Sequence, residues 1–235
     1  MYYPMYFDPT YFLVLIGVVI CLLAQAKVKG TFNKFSRVRN VRGMTGAEAA
    51  QQVLKNAGIY DVRVEHVSGN LTDHYDPRTK VLRLSDSVYG QTSVAAVGVA
   101  AHECGHAIQH ARGYAPLKMR SALVPIANFG STIAWPLILI GLLFGRGSSS
   151  LFINLGILAF SAAVLFQLIT LPVEFNASNR AIRVLADTGM MQGEEIKGAK
   201  KVLSAAALTY VAGAASSILQ LLRIILLTGG RRRND

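Results

Sequence analysis

Two stretches with no charged residue follow one another in this chain, 25 residues between Arg120 and Arg146 and 27 between Arg146 and Glu174. About 20 apolar residues cross a bilayer. Ser121–Gly145 and Leu151–Val173 are therefore expected to be transmembrane helices, joined by the small polar loop Arg146–Ser150. Two such runs in succession argue against buried helices of a soluble core. A shorter run, Tyr11 to about Val28, is also long enough to span.

That first run ends in Ala24-Gln25-Ala26, which has the look of a signal-peptidase site. A signal peptide, however, carries its positive charge before the apolar stretch. Here MYYPMYFDPT carries none, and Lys27, Lys29, Lys34, Arg37, Arg39 and Arg42 all follow. The segment is expected to be an uncleaved anchor with its N-terminus outside and its basic end in the cytoplasm. Counting crossings then places residues 29–120 and everything from Glu174 onward on the cytoplasmic side.

The net charge is +11, but the cations sit where positive-inside orientation and anionic lipid would place them. They are not gathered into one surface that could read nucleic acid, so no nucleic-acid partner is expected. Two cysteines, Cys21 and Cys104, make no disulfide framework and suit a reducing compartment.

Between the anchor and the first long run, Thr45-Gly46-Ala47-Glu48 has capping-box spacing, and Gly58 can close the helix that follows. Val62–Val67 and Lys80–Ser85 alternate like strands. A helix is expected from about Thr92 to Gly113. The last apolar segment, Val202–Leu222, is interrupted by Arg223 and closed by Arg231-Arg232-Arg233. Its expected place is the cytoplasmic domain or the membrane interface rather than a fourth span, because crossing would put three arginines outside. Arg223 itself suggests a group that gates the cleft or binds lipid headgroups.

The expected helix carries His102-Glu103-Cys104-Gly105-His106, the pattern H-E-x-x-H. Positions i and i+4 lie about 6 Å apart along one helix face, so two imidazoles can converge on one ion, and zinc takes such ligands. Glu103 falls on the adjacent flank, where its carboxylate reaches a water molecule rather than the metal. His110 continues the spacing but lies about 12 Å from His102 along the axis, too far to share the ion. Arg112 stands where the H-E-x-x-H-x-x-G-x-x-H pattern would need histidine. The third ligand must come from elsewhere. Glu174 is the only acidic residue between Glu103 and Asp187, and a carboxylate at the end of a membrane helix needs a partner. Zinc, Arg180 or Arg183 could each be that partner. Asp187, His66 and His74 are weaker ligand candidates.

HECGH followed by two spans and then E-F-N-A-S-N-R-A resembles the YugP-type neutral zinc metallopeptidases of bacterial membranes. More distantly it is similar to the HtpX-type proteases. The resemblance extends over nearly the whole length, including DHYDPRTKVLRLSDSVY. It implies an α-helical membrane protein with a small α+β zincin-like (gluzincin) catalytic domain. One Zn2+ per chain would be held by His102, His106 and Glu174, with Glu103 as catalytic base. Where HtpX-type sequences carry E-x-x-x-D, this chain has Ser178 at the aspartate position. Orientation of a ligating histidine is then expected from Asn179 or Asp187.

The organisation expected is an anchor over 1–28, a cytoplasmic metallopeptidase region over 29–120, two transmembrane helices over 121–173 and a cytoplasmic or interfacial helical region over 174–235. The function expected is zinc-dependent endopeptidase action at the cytoplasmic membrane surface on unfolded or membrane-associated polypeptides. A homo-oligomer or a regulatory membrane partner is compatible with it. Oxyanion stabilisation is open among Tyr210, Arg180, Arg183 and His74. The strand carrying Val81, Leu82, Arg83 and Leu84 could pair with an extended substrate. Two rivals stand: a site-2-type intramembrane protease and a non-catalytic zinc-stabilised membrane scaffold or holdase.

Overall fold

The computed structural model describes residues 8–143 and 149–229; most of the expected loop 146–150 and the arginines Arg231–Arg233 lie outside them. The elements in order are α1 (Tyr11–Phe35), α2 (Gly46–Asn56), β1 (Arg63–Val67), β2 (His74–Asp76), β3 (Val81–Ser85), α3 (Val94–Ala111), α4 (Ala115–Leu143), α5 (Ser149–Asp187) and α6 (Glu194–Gly229). The protein is mostly helical, with one small sheet. Helices α1, α4, α5 and α6 are each long and apolar enough to cross a membrane.

The chain forms two compact units. The first comprises Met1–Leu23, Arg120–Ile169 and Tyr210–Asp235, and its described part is helical. Small residues bring its helices close. A Cβ added at Gly130 would lie 2.6 Å from the Ala159 carbonyl oxygen, and one at Gly156 would lie 2.6 Å from Ile138, so α4 and α5 approach backbone to backbone. Gly17 of α1 likewise faces Ser216 of α6. Close contacts at small residues are how helices associate where lipid removes the hydrophobic drive. Arg223 Nη2 lies 3.6 Å from Asp8 Oδ2, and its guanidinium sits 4.2 Å over the Tyr11 ring.

The second unit comprises Ala24–Met119 and Thr170–Thr209. The capping box forms: Glu48 N donates to Thr45 Oγ1, and Thr45 N donates back to the Glu48 carboxylate at 2.8 Å. Gly58 follows α2 at φ 73°, the left-handed conformation a helix exit favours and a side chain resists. β3 pairs with β1 in parallel and with β2 in antiparallel register, giving the order β1-β3-β2. β2 is only three residues long, too short for an alternation pattern to reveal. Val81, Leu82 and Leu84 are fully buried, and Leu82 and Leu84 join Val53 of α2, Val97 and Cys104 of α3, and Leu185 and Leu203 in one core. Buried Asn40 holds the segment after α1 in place, donating to the carbonyls of Met44 and Thr92.

Val202–Leu222 is not an element by itself. It belongs to one continuous helix of 36 residues, α6, long and apolar enough to cross a membrane. Residues from Tyr210 onward fall in the first unit, with the other long helices.

Candidate metal centre

Helix α3 begins at Ser93, whose hydroxyl accepts from Ala96 N. It buries almost every small residue of VAAVGVAAHECGHAIQHA. Its partner is the part of α5 that starts at Thr170, and the two come close at Gly105. A Cβ there would sit 2.5 Å from the Ala177 carbonyl oxygen, so only glycine admits this approach. Pro172, inside α5, has no N–H to give to the helix ladder just before the segment that faces α3.

This packing brings His102, His106 and Glu174 together. Glu174 Oε2 lies 3.3 Å from His102 Nε2 and 3.6 Å from His106 Nε2. One ligand atom from each of the three lies within 4.8 Å of the others. With zinc–ligand bonds near 2.1 Å, tetrahedral ligands are about 3.4 Å apart. Two imidazoles and a carboxylate at these separations fit a zinc ion. Of the rival partners for Glu174, Arg180 donates through Nε to Asn176 Oδ1 at 2.7 Å, and Arg183 lines a cavity with Lys27, Lys34 and Lys200.

Hydrogen bonds behind the cluster decide which ring nitrogens face it. Arg180 can only donate, and it turns Asn176 Oδ1 toward itself. Gln109 Nε2 donates to that same oxygen at 3.0 Å and to the Val173 carbonyl at 2.8 Å. The Gln109 oxygen is therefore turned to His106, 3.1 Å from Nδ1, and it can only accept. His106 Nδ1 must carry the proton, which leaves Nε2 with its lone pair toward Glu174. Gln109, fully buried, was not anticipated as part of the site. Its three-residue offset from His106 on one helix was the available signal. His102 Nδ1 is held too, 3.0 Å from Ser178 Oγ. Orientation at this histidine comes from Ser178 itself, not from Asn179 or Asp187 as expected.

Glu103 is buried beside His102, and desolvation pushes its carboxyl up to about 7, with the nearby Glu174 and Asp73 charges adding to the effect of burial. A dication alongside would favour the ionised form. Asp73 accepts from Ser85 N at 2.7 Å and from the Ser85 hydroxyl at 3.0 Å. Among the four oxyanion candidates, His74 starts β2 and is hydrogen-bonded through Nδ1 to the Thr72 carbonyl at 2.9 Å. Arg180 donates to Asn176 and lies over the Tyr114 ring. His110 is a packing residue, 2.9 Å from the Tyr75 hydroxyl.

The substrate strand needs correction. β3, with Val81, Leu82, Arg83 and Leu84, is the central strand, paired on both sides and largely buried. It has no edge to offer. One outer strand is β2, which starts at His74 and packs against α3.

Comparison with known proteins agrees with this chemistry. The chain belongs to the family described as "Putative neutral zinc metallopeptidase", whose model matches residues 10–229. It is 50% identical over 224 residues to "Putative membrane protease YugP" of Bacillus subtilis (strain 168), across 95% of this chain and 98% of that one. No solved structure matches it. Zinc is accordingly the metal that His102, His106 and Glu174 are suited to hold.

Proposed function

We propose that this chain is a membrane-bound zinc endopeptidase with a zincin-like catalytic unit, the gluzincin type, acting at the cytoplasmic membrane surface. The observation that carries the reading is the convergence of His102 Nε2, His106 Nε2 and Glu174 Oε2, with both Nδ1 atoms hydrogen-bonded away from the cluster. Zinc, when bound, polarises a carbonyl and lowers the pKa of water. Glu103 is the base. Buried and adjacent to His102, it takes a proton from the attacking water and passes it to the leaving amine. The oxygen on which charge develops takes a donor from among Tyr210, Arg180, Arg183 and His74. An extended polypeptide lies along the outer edge of β2, whose backbone groups make the ladder bonds strand addition needs. An edge of this kind suits unfolded or membrane-associated chains over compact ones.

The membrane topology follows from charge. Lys27, Lys29 and Lys34 succeed the first apolar run, so α1 enters the cytoplasm, α4 leaves it and α5 returns. The H-E-x-x-H helix and Glu174 then share the cytoplasmic side. We propose that α6 is a fourth span, since its 36 residues are about 54 Å long at 1.5 Å each.

The intramembrane alternative is disfavoured because α3 is not among the four membrane-length helices. The scaffold alternative has no use for a buried Glu103 next to a ligand. The test is direct: the full-length protein in detergent should cleave an unfolded protein such as casein, lose that activity to a chelator and regain it with zinc. Cleavage that persists after the metal is removed would overturn the proposal.

A further inference from the structure

A cavity of about 1110 Å³ opens among α1, α5 and α6, within the second unit. Its lining has one sign of charge: Lys27, Lys34, Arg183, Lys197, Lys200 and Lys201, with no carboxylate. Lys197 is engaged by Glu194 at 2.6 Å. Among the described residues the other five have no carboxylate within salt-bridge distance. The rest of the wall is apolar, with Phe35, Phe175 and Leu208, and small hydroxyls of Thr31 and Ser204 stand among them.

The position of these residues along the chain is as telling as their type. Lys27 is the first charge after the apolar run of α1; Phe175 comes two residues after Val173, where the uncharged run of α5 stops; Lys200 and Lys201 directly precede the apolar run of α6. Two membrane-length helices, α1 and α6, thus present cations at the ends of their apolar stretches, and α5 adds Phe175 at the end of its own and Arg183 further on. That is the chemistry of a phosphodiester head with acyl chains attached. An acidic peptide would match the charge but not the apolar walls, and free phosphate would not fill the volume.

We propose that this cavity is a binding site for an anionic phospholipid, its phosphate among Lys34, Lys200 and Lys201 and its chains along Phe35, Phe175 and Leu208. Ser178, which holds His102, also lines the cavity. A lipid seated there buttresses the hydroxyl that orients a metal ligand. The inference rests on the membrane reading of α1, α5 and α6 and not on the peptidase reading.

The test uses full-length protein in detergent, titrated with dioleoylphosphatidylglycerol, dioleoylphosphatidylcholine, glycerol phosphate or a polyglutamate peptide, and read by native mass spectrometry. The parent should retain phosphatidylglycerol in preference to phosphatidylcholine and bind glycerol phosphate weakly. A Lys34→Gln/Lys200→Gln/Lys201→Gln variant should lose affinity by roughly tenfold or more, since each cation near an anionic headgroup contributes measurably. A charge-matched control, Lys55→Gln/Arg63→Gln/Arg78→Gln, should retain it. The zinc content of each sample reports whether its fold is intact. Equal retention of phosphatidylglycerol by parent and cavity variant, or no preference over phosphatidylcholine, would overturn the assignment. Polyglutamate held through the same three lysines, with lipid binding indifferent to them, would give the cavity to an acidic polypeptide instead. Release of the protein from membranes by alkaline carbonate would remove the membrane reading on which the site depends.

Discussion

Gln109 illustrates how little of a metal site is visible in its ligands. Its amide is locked by two acceptors, the Val173 carbonyl and Asn176 Oδ1, and the oxygen left over dictates the proton on His106. Replacing Gln109 with Leu removes the acceptor and leaves Nδ1 without its partner. Zinc affinity should fall about 10–100-fold, as for other groups behind metal ligands, measured by competition with a chromogenic chelator. Asn176→Leu should fall in the same direction by a smaller factor, because Val173 still holds the amide. Ser178→Ala loses one hydrogen bond to His102, and Ser178→Asp restores an acceptor there. The alanine variant should bind zinc more weakly than the aspartate variant. Equal affinities would show that Ser178 does not orient the ring. The ligands themselves were readable in the sequence, because i, i+4 spacing on a helix is a local property. Glu174 was readable through the cost of a lone carboxylate beside an apolar run. Gln109 was hinted at only by its offset from His106, and Asn176 not at all, since their network arises when α5 brings Val173 and Asn176, 64 and 67 residues away in sequence, against Gln109.

Helix α3 meets two different partners through two glycines, and they should respond differently to a methyl group. At Gly105 the added Cβ would lie 2.5 Å from the Ala177 carbonyl oxygen, a backbone atom that cannot step aside. At Gly98 it would lie 3.3 Å from the Ala199 Cβ, which a small shift relieves. Gly105→Ala should therefore cost about 1–3 kcal/mol and separate Glu174 from the histidines, with loss of zinc binding. Gly98→Ala should be close to neutral in thermal unfolding and keep the metal. The sheet teaches a related lesson. Two alternating runs were legible as strands, but the three residues His74–Asp76 between them were not, and it is β2 that takes the outer place beside β3. Thr45→Ala, which removes the cap of α2, should lower stability by about 1 kcal/mol without touching the metal, so it serves as a control for variants that only weaken the fold.

Taken whole, the molecule is a set of four long helices, each contributing residues to both units, with the only described sheet and the metal cluster in the second. Arginine count argues against a fourth crossing, whereas α6 runs unbroken from Glu194 to Gly229 and is long and apolar enough to cross. The uninterrupted helix outweighs the terminal arginines in our reading. A reporter fused after Asp235 should accordingly be active outside the cytoplasmic membrane, and a cytoplasmic reporter signal would restore the interfacial placement. Metal should also stabilise the second unit. At a free zinc level about a thousandfold above Kd the linkage is worth about 4 kcal/mol, so chelation should lower Tm by several degrees, and Glu174→Gln should show no such response. The decisive comparison sets the parent beside Glu103→Gln and Glu174→Gln, with bound zinc and casein cleavage measured on the same samples. Glu103→Gln should keep about one zinc per chain and lose at least 100-fold in rate, as expected for removal of a general base, while Glu174→Gln should lose both metal and activity. Cleavage by Glu103→Gln at the parent's rate, or full zinc retention by Glu174→Gln, would contradict the site described here.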